Sequence, residues 1–227
     1  MGFKAGITIL LTAGLGLILF MVFYIFPRQN ATVNFVAEKV ILNVIEENDG
    51  LHLEIQGYFF FENNNPFAVA RMIQFPIPPD IGALIPDSVL ITDATGNAGG
   101  EWEIKRGMNR YPHALNPAGN SFIYRFIFPK MQTKIMACRY IQKLESDEIG
   151  YIVKTIHSWG EPIKQGRFDI FLPDGYTLDD MSHEFTKTDV IDVETGEQRL
   201  VWRLDVENFL PEKDIRAKVV KTNIKPL

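Results

Sequence analysis

Apolar and polar positions fall into two regimes along the chain. The first is unbroken: Ala5 to Phe26 contains no charged side chain. As a helix rising about 1.5 Å per residue, this stretch reaches about 33 Å, enough for a hydrocarbon core of about 30 Å. The pattern predicts one transmembrane helix with Ile7, Leu11, Leu15, Leu19, Phe23 and Phe26 among its anchor residues. Lys4 precedes the run and Pro27-Arg28 closes it. A cleaved signal peptide has a shorter apolar region and a small-residue cleavage site. The exit Phe26-Pro27-Arg28-Gln29-Asn30-Ala31 fits that poorly. Lys4 places the amino terminus in the cytoplasm by the positive-inside rule, with Arg28 offsetting part of the bias. The expectation is a single-pass signal anchor in the cell membrane, with residues 28–227 outside the cytoplasm.

Beyond residue 30 the period changes to two. Val40, Leu42 and Val44 alternate with Ile41, Asn43 and Ile45; Leu51, Leu53 and Ile55 alternate with His52, Glu54 and Gln56. Asn48-Asp49-Gly50 between them reads as a hairpin turn. Further strands are expected at 58–62, 69–75, 88–92, 101–105, 121–128 and through Ile135–Ile141, with Asn-, Pro- and Gly-rich turns between. Proline closes several of these runs, at Pro76, Pro129, Pro173 and Pro211, as expected of a residue that cannot donate to a ladder. No stretch beyond the anchor has the pattern of an amphipathic helix.

The strands suggest an internal repeat. Tyr58, Pro66, Pro76 and Trp102 recur in order as Tyr151, Pro162, Pro173 and Trp202. This series predicts a mainly β protein in three parts: residues 1–28 as cytoplasmic stub and transmembrane helix, and two tandem immunoglobulin-like β-sandwiches over 29–130 and 131–227, the second a duplicate of the first. Trp102 and Trp202 should then occupy equivalent, partly buried places. The alternative is one larger sandwich of about 200 residues.

The second half carries Tyr151-Ile152-Val153-Lys154-Thr155, then Trp159-x-x-Pro162-Ile163, then Phe168-Asp169-Ile170-Phe171-Leu172-Pro173. This resembles a pattern in uncharacterised membrane-anchored prokaryotic β-sandwich proteins. The resemblance implies an extracytoplasmic β-domain at a bacterial or archaeal surface, and no activity.

Composition narrows the function. A net charge of −5 and a pI near 5.4 disfavour general nucleic-acid binding. One cysteine, Cys138, excludes an internal disulfide framework and multi-cysteine zinc sites; it falls in a strand pattern, as a buried inert thiol would. His52, His113, His157 and His183 lack metal-ligand spacing, and His157 and Trp159 read as neighbours on one strand face. No nucleophile elbow, zinc-protease, Walker or dinucleotide motif occurs. The chain thus reads as a non-enzyme without cofactor or metal. The loop 105–113 carries Lys105, Arg106 and Arg110 with Met108 and Tyr111 and no acidic residue, a candidate partner contact. The functional expectation is a membrane-anchored scaffold or accessory subunit, with the lipid bilayer and another envelope protein as partners. The alternatives are a solute- or metal-binding receptor and, below it, an envelope-polymer hydrolase using carboxylates such as Asp169, Asp174 and Asp179.

Overall fold

The computed structural model describes residues 32–77, 86, 88–95, 101–105, 109–110, 113–115, 121–191 and 198–222, with 101–105, 109–110 and 113–115 described by backbone alone. Among these residues no helix is long and apolar enough to cross a membrane. The single-pass, amino-terminus-in membrane placement is corrected to what the described residues show, which is no spanning helix; the expected span 5–26, with Ile7, Leu11, Leu15, Leu19, Phe23 and Phe26, lies outside the described residues.

Period-two alternation dominates the described chain, and strands follow it. β1 (Asn34–Glu47) and β2 (Gly50–Asn63) form a long hairpin through the turn at Asn48-Asp49. Along β1, Val40, Leu42 and Val44 are buried while Ile41, Asn43 and Ile45 are half-exposed. β9 (Gln132–Lys143) pairs antiparallel with β2, and β4 (Ser88–Asp93) with β9 and with β5 (Glu101–Lys105). On the other side, β11 (Ile163–Phe171) runs parallel to β1, and then come β14 (Gln198–Phe209) and β13 (Thr186–Ile191), both antiparallel. The result is one eight-stranded mixed sheet, in the order β13-β14-β11-β1-β2-β9-β4-β5.

Two smaller sheets complete the fold. One comprises β3 (Val69–Pro76), β8 (Ser121–Phe128), β7 (His113–Leu115) and β6 (Asn109–Arg110), in the order β3-β8-β7-β6. The other comprises β10 (Glu148–Tyr151), β15 (Ile215–Lys221) and β12 (Tyr176–Asp179), in the order β10-β15-β12. The first packs on the large sheet through Phe59 against Phe75 and Phe61 against Phe128; the second does so through Tyr151 against Phe168. Phe61, Phe122, Phe126, Phe128 and Phe168 are fully buried, and burying a side chain of that size stabilises by about 1.5–3 kcal/mol.

Two tandem immunoglobulin-like sandwiches are not what forms. Strands from 29–130 and 131–227 interleave in the large sheet: β9 of the second half lies between β2 and β4 of the first. The expected seam at Lys130-Met131 is instead a tight connection from β8 to β9, with Met131 N–H donating to the Asn65 carbonyl at 3.1 Å. Buried Asn63 binds the Phe128 and Pro129 carbonyls beside it. Trp102 stands on edge strand β5 opposite Ile91, and Trp202 on the penultimate strand β14 opposite Ile170. Trp202 is half-buried, and the Trp102 side chain lies outside the described residues. Each half does keep its own small sheet, and both of these share one large sheet.

Candidate functional site

A one-residue irregularity in β1 builds the site. Phe35 pairs with Phe61 and Ala37 with Phe60, so Val36 is an extra residue, a β-bulge. A regular strand would put Phe35 and Glu38, three apart, on opposite faces. The bulge rephases the chain so that both join Val40 and Leu42 on the inner face, a known use of bulges. Glu38 then has Phe59 opposite it on β2 and Gly166 on β11.

The inner face at this point borders a cavity of about 260 Å³. It lies where the two small sheets meet over the middle of the large one. Phe59, Phe61, Cys138 and Tyr140 come from β2 and β9; Ile73, Phe75 and Phe122 from the first small sheet; Tyr151 and Trp159 from β10 and the segment after it. Phe59 reaches the wall by laying its ring across its own strand. A Cβ at Gly57 would come within 2.6 Å of that ring, so a side chain there would push the wall outward.

A six-residue 3-10 helix, Lys154–Trp159, carries Trp159 into place. It corrects the expectation that His157 and Trp159 share a strand face. Gly160 ends the turn in the left-handed region, at φ +82°. Asp214 accepts the Val153 and Lys154 N–H groups at 3.0 Å each, and the His157 ring meets the Pro211 carbonyl at 2.8 Å. Trp159 thus rests against Phe35 and Phe61, with ring centres 5.7 and 5.2 Å away. The mouth is polar: Gln74 and Ser158 are exposed there, and together with Ile73 and Trp159 they also line a wider depression of about 680 Å³.

Glu38 is the one ionisable acid lining the cavity among the described residues. It is 5% exposed, and no cation pairs with it among those residues. Burial pushes its carboxyl up to about 7, partly countered by the Tyr151 hydroxyl, which donates to Oε1 at 2.5 Å. Burial likewise raises the Tyr151 and Tyr140 hydroxyls and takes the Cys138 thiol up to about 12. All three stay protonated at neutral pH, as the inert thiol expected at Cys138 requires.

Of the residues singled out in the sequence, Cys138, Tyr151 and Trp159 line the cavity, and the candidate contact loop 105–113 is only partly described. The side chains of Lys105 and Arg110 and the whole of Arg106, Met108 and Tyr111 lie outside the described residues; the backbones of Lys105 and Arg110 belong to β5 and β6. Of the carboxylates considered for hydrolysis, Asp169 is on the outer face of β11, bound by two Arg203 nitrogens at 2.6 and 2.9 Å. Asp174 and Asp179 bracket β12 on another sheet. The structure does not bring these three together. It does gather Glu47, Asp49 and His52 at the first hairpin turn, with ligand atoms within 4.8 Å of one another. Its central acid is already partnered: Lys143 Nζ sits 2.6 Å from Asp49, and His52 3.0 Å from it. Lys143 and His52 hold the Asp49 carboxyl down at about 2.

Glu38 was legible in principle. Counting back by two from Val44, Leu42 and Val40 puts a glutamate in the buried phase of the strand.

Neither a family model nor a curated protein sequence matches the chain. Solved structures do. The chain is similar to the crystal structure of a "putative nutrient binding protein" from Legionella pneumophila, with TM-score 0.59 and 14% identity, over 83% of this chain and 67% of that one. This shows a shared fold. A "putative protease" from Parabacteroides distasonis aligns over 82% of this chain and 40% of that one at 12% identity, but its TM-score of 0.38 carries no argument.

Proposed function

We propose that the protein binds a small solute in the cavity between the large sheet and its two small ones. The observation that carries this reading is a buried carboxyl, without a cation beside it, lining an aromatic cavity. Folding alone gives no reason to keep such a group, because an apolar residue of the same size would avoid the desolvation cost. A cavity of about 260 Å³ lies just below the usual range for ligand pockets, roughly 300–1,000 Å³. That size suits a small metabolite rather than a polymer. The fold shared with a protein described as nutrient binding agrees with this choice among the alternatives. It favours the solute-binding reading over a scaffold acting through 105–113.

Binding rather than catalysis is the reading the lining supports. No histidine or lysine lines the cavity among the described residues, and its thiol and phenols are held protonated. The one carboxyl that could serve as a base, Glu38, is engaged with the Tyr151 phenol, which burial holds protonated.

The test is a thermal-shift screen of a metabolite library against the full chain and against Thr155→Trp. Thr155 lines the cavity half-exposed on the 3-10 helix, and the larger ring fills the space. A true ligand at a hundred times its dissociation constant stabilises the wild type by about 2.7 kcal/mol and leaves the plugged variant unshifted. Finding no stabilising solute, or equal shifts in both proteins, overturns the proposal.

A further inference from the structure

The lining of the cavity states the charge of what it takes. None of its described residues is a lysine, arginine or histidine. A carboxylate or phosphate ligand would find no counter-charge there and would face Glu38, a like charge. The polar groups that are present, the Glu38 carboxyl, the Gln74 amide, the Cys138 thiol and the hydroxyls of Tyr151, Tyr140, Thr155 and Ser158, include one that can become fully negative in the working pH range. Tyr151 donates to one oxygen of that carboxyl, Oε1. Donation to the charged form favours it, and Oε2 accepts no hydrogen bond from the described residues. Around the carboxyl the wall is aromatic. Phe35, Phe61 and Trp159 touch one another, with centres 5.2 to 5.7 Å apart, and all three line the cavity with Glu38. Aromatic faces attract cations through their quadrupoles, more strongly where water is excluded.

We propose that this cavity is an organic-cation site: an alkyl- or arylammonium nitrogen meets the Glu38 carboxyl, and its hydrocarbon substituents pack on Trp159, Phe35 and Phe61. The proposal rests on the reading of the cavity as a solute site and adds the charge of the solute. A bare metal ion is a poor occupant, because metal sites are built from several carboxylate, carbonyl or imidazole ligands and this lining has one carboxyl, with neutral hydroxyls and aromatic rings around it. A substituted ammonium uses both halves of the lining at once.

The pairing also links binding to protons. Glu38 is raised toward neutrality by burial, so below about pH 7 a cation must displace its proton. The titratable groups around it are Tyr151 from β10 and Cys138 and Tyr140 from β9, and burial holds all of these protonated well above pH 7. Glu38 alone therefore sets the pH dependence of the site, and affinity for a cation rises with pH until Glu38 is ionised.

Three probes of one shape and different charge decide the matter: benzylammonium, benzyl alcohol and benzoate, titrated calorimetrically into the full chain. At pH 8 benzylammonium should bind at least tenfold more tightly than benzyl alcohol, with benzoate weakest. At pH 5.5 the advantage should shrink at least fivefold. In Glu38→Gln the cation should fall to the level of benzyl alcohol, while benzyl alcohol keeps its wild-type affinity within twofold and so certifies an intact cavity. Trp159→Leu should cost the cation at least threefold more than the alcohol. If benzyl alcohol or benzoate binds as tightly as benzylammonium, the cation assignment falls and the solute site stands. If Glu38→Gln leaves the cation's advantage intact, the assignment falls likewise. If none of the probes binds and no library solute stabilises the chain, both readings fall together.

Discussion

Asp169 and Glu38 stand on the neighbouring strands β11 and β1, at 4% and 5% exposure, on opposite faces of one sheet. On the outer face Asp169 is gripped by the Arg203 fork. Nearby on the same face Glu54 is held by Arg139 and Asn43, and Arg167 reaches Asp205. Every buried carboxyl on that face has its cation. On the inner face Glu38 has a phenol and a ring of aromatics. The outer acids are parts of a cross-strand charge ladder that holds the sheet together. The inner acid has no structural counterpart, and it is the one that borders a cavity. Burial is common to both acids; burial without a cation, beside open space, is particular to Glu38 among the described residues.

The largest effect should come from breaking the outer pairing. Arg203→Met strands Asp169 in a site with no second cation and should cost about 4 kcal/mol in urea unfolding at pH 7. A loss below about 1 kcal/mol would put the two acids on the same footing and dissolve the contrast.

Glu38→Gln should move stability the other way. In the wild type, Glu38 keeps its proton up to about pH 7 in the folded state but ionises near 4.5 when unfolded. Between these values the folded state binds the extra proton, so stability falls as pH rises. The shift is worth about 3 kcal/mol in full. The glutamine variant should therefore match the wild type at pH 4 and exceed it at pH 8, with a flatter profile between. A profile that keeps the wild-type slope would assign the titration to another group.

Tyr151→Phe should cost about 1 kcal/mol at pH 8 and less at pH 5, because the lost hydroxyl serves the ionised carboxyl best. The Glu38 titration should move further up, which carbon-13 NMR of the carboxyl would register. At the small end, Lys143→Met removes an exposed partner of Asp49, and its melting temperature should match the wild type within the scatter of repeat scans. A clear drop there would mean that surface pairs at the hairpin turn contribute as the sheet-face pairs do.

Much of the strand content was legible because alternation is a local signal. The hairpin at Asn48-Asp49-Gly50 forms as expected, and the prolines at 76, 129, 173 and 211 fall at strand ends. What alternation cannot specify is the neighbour. Val40, Leu42 and Val44 declare which face is inward but do not say that β11 will lie alongside, so a repeat in chain order need not be a repeat in space. Two further misses have local causes. The bulge at Val36 breaks period two for a single residue, and so hides that Phe35 and Glu38 share a face. The 3-10 helix at Lys154–Trp159 is too short to show a helical period, and its position depends on Pro211 and Asp214, distant in sequence.

The parallel ladder between β1 and β11 sets a timetable for the chain as it is made. β1 and β2 can zip together as soon as both have emerged, but the far edge of β1 has no neighbour until Ile163–Phe171 has been synthesised, since Ala37 pairs with Gln165. Closing so long a loop is an entropic cost met late. Through most of translation, the hairpin offers an open row of backbone donors and acceptors to any other strand nearby, the kind of surface on which chains misassemble. The cavity inherits the same schedule: its floor is made early, its Tyr151 and Trp159 wall much later. A nascent chain stalled before residue 150 carries Glu38 with no Tyr151 hydroxyl to meet it, so the cavity is completed only with the last third of the protein.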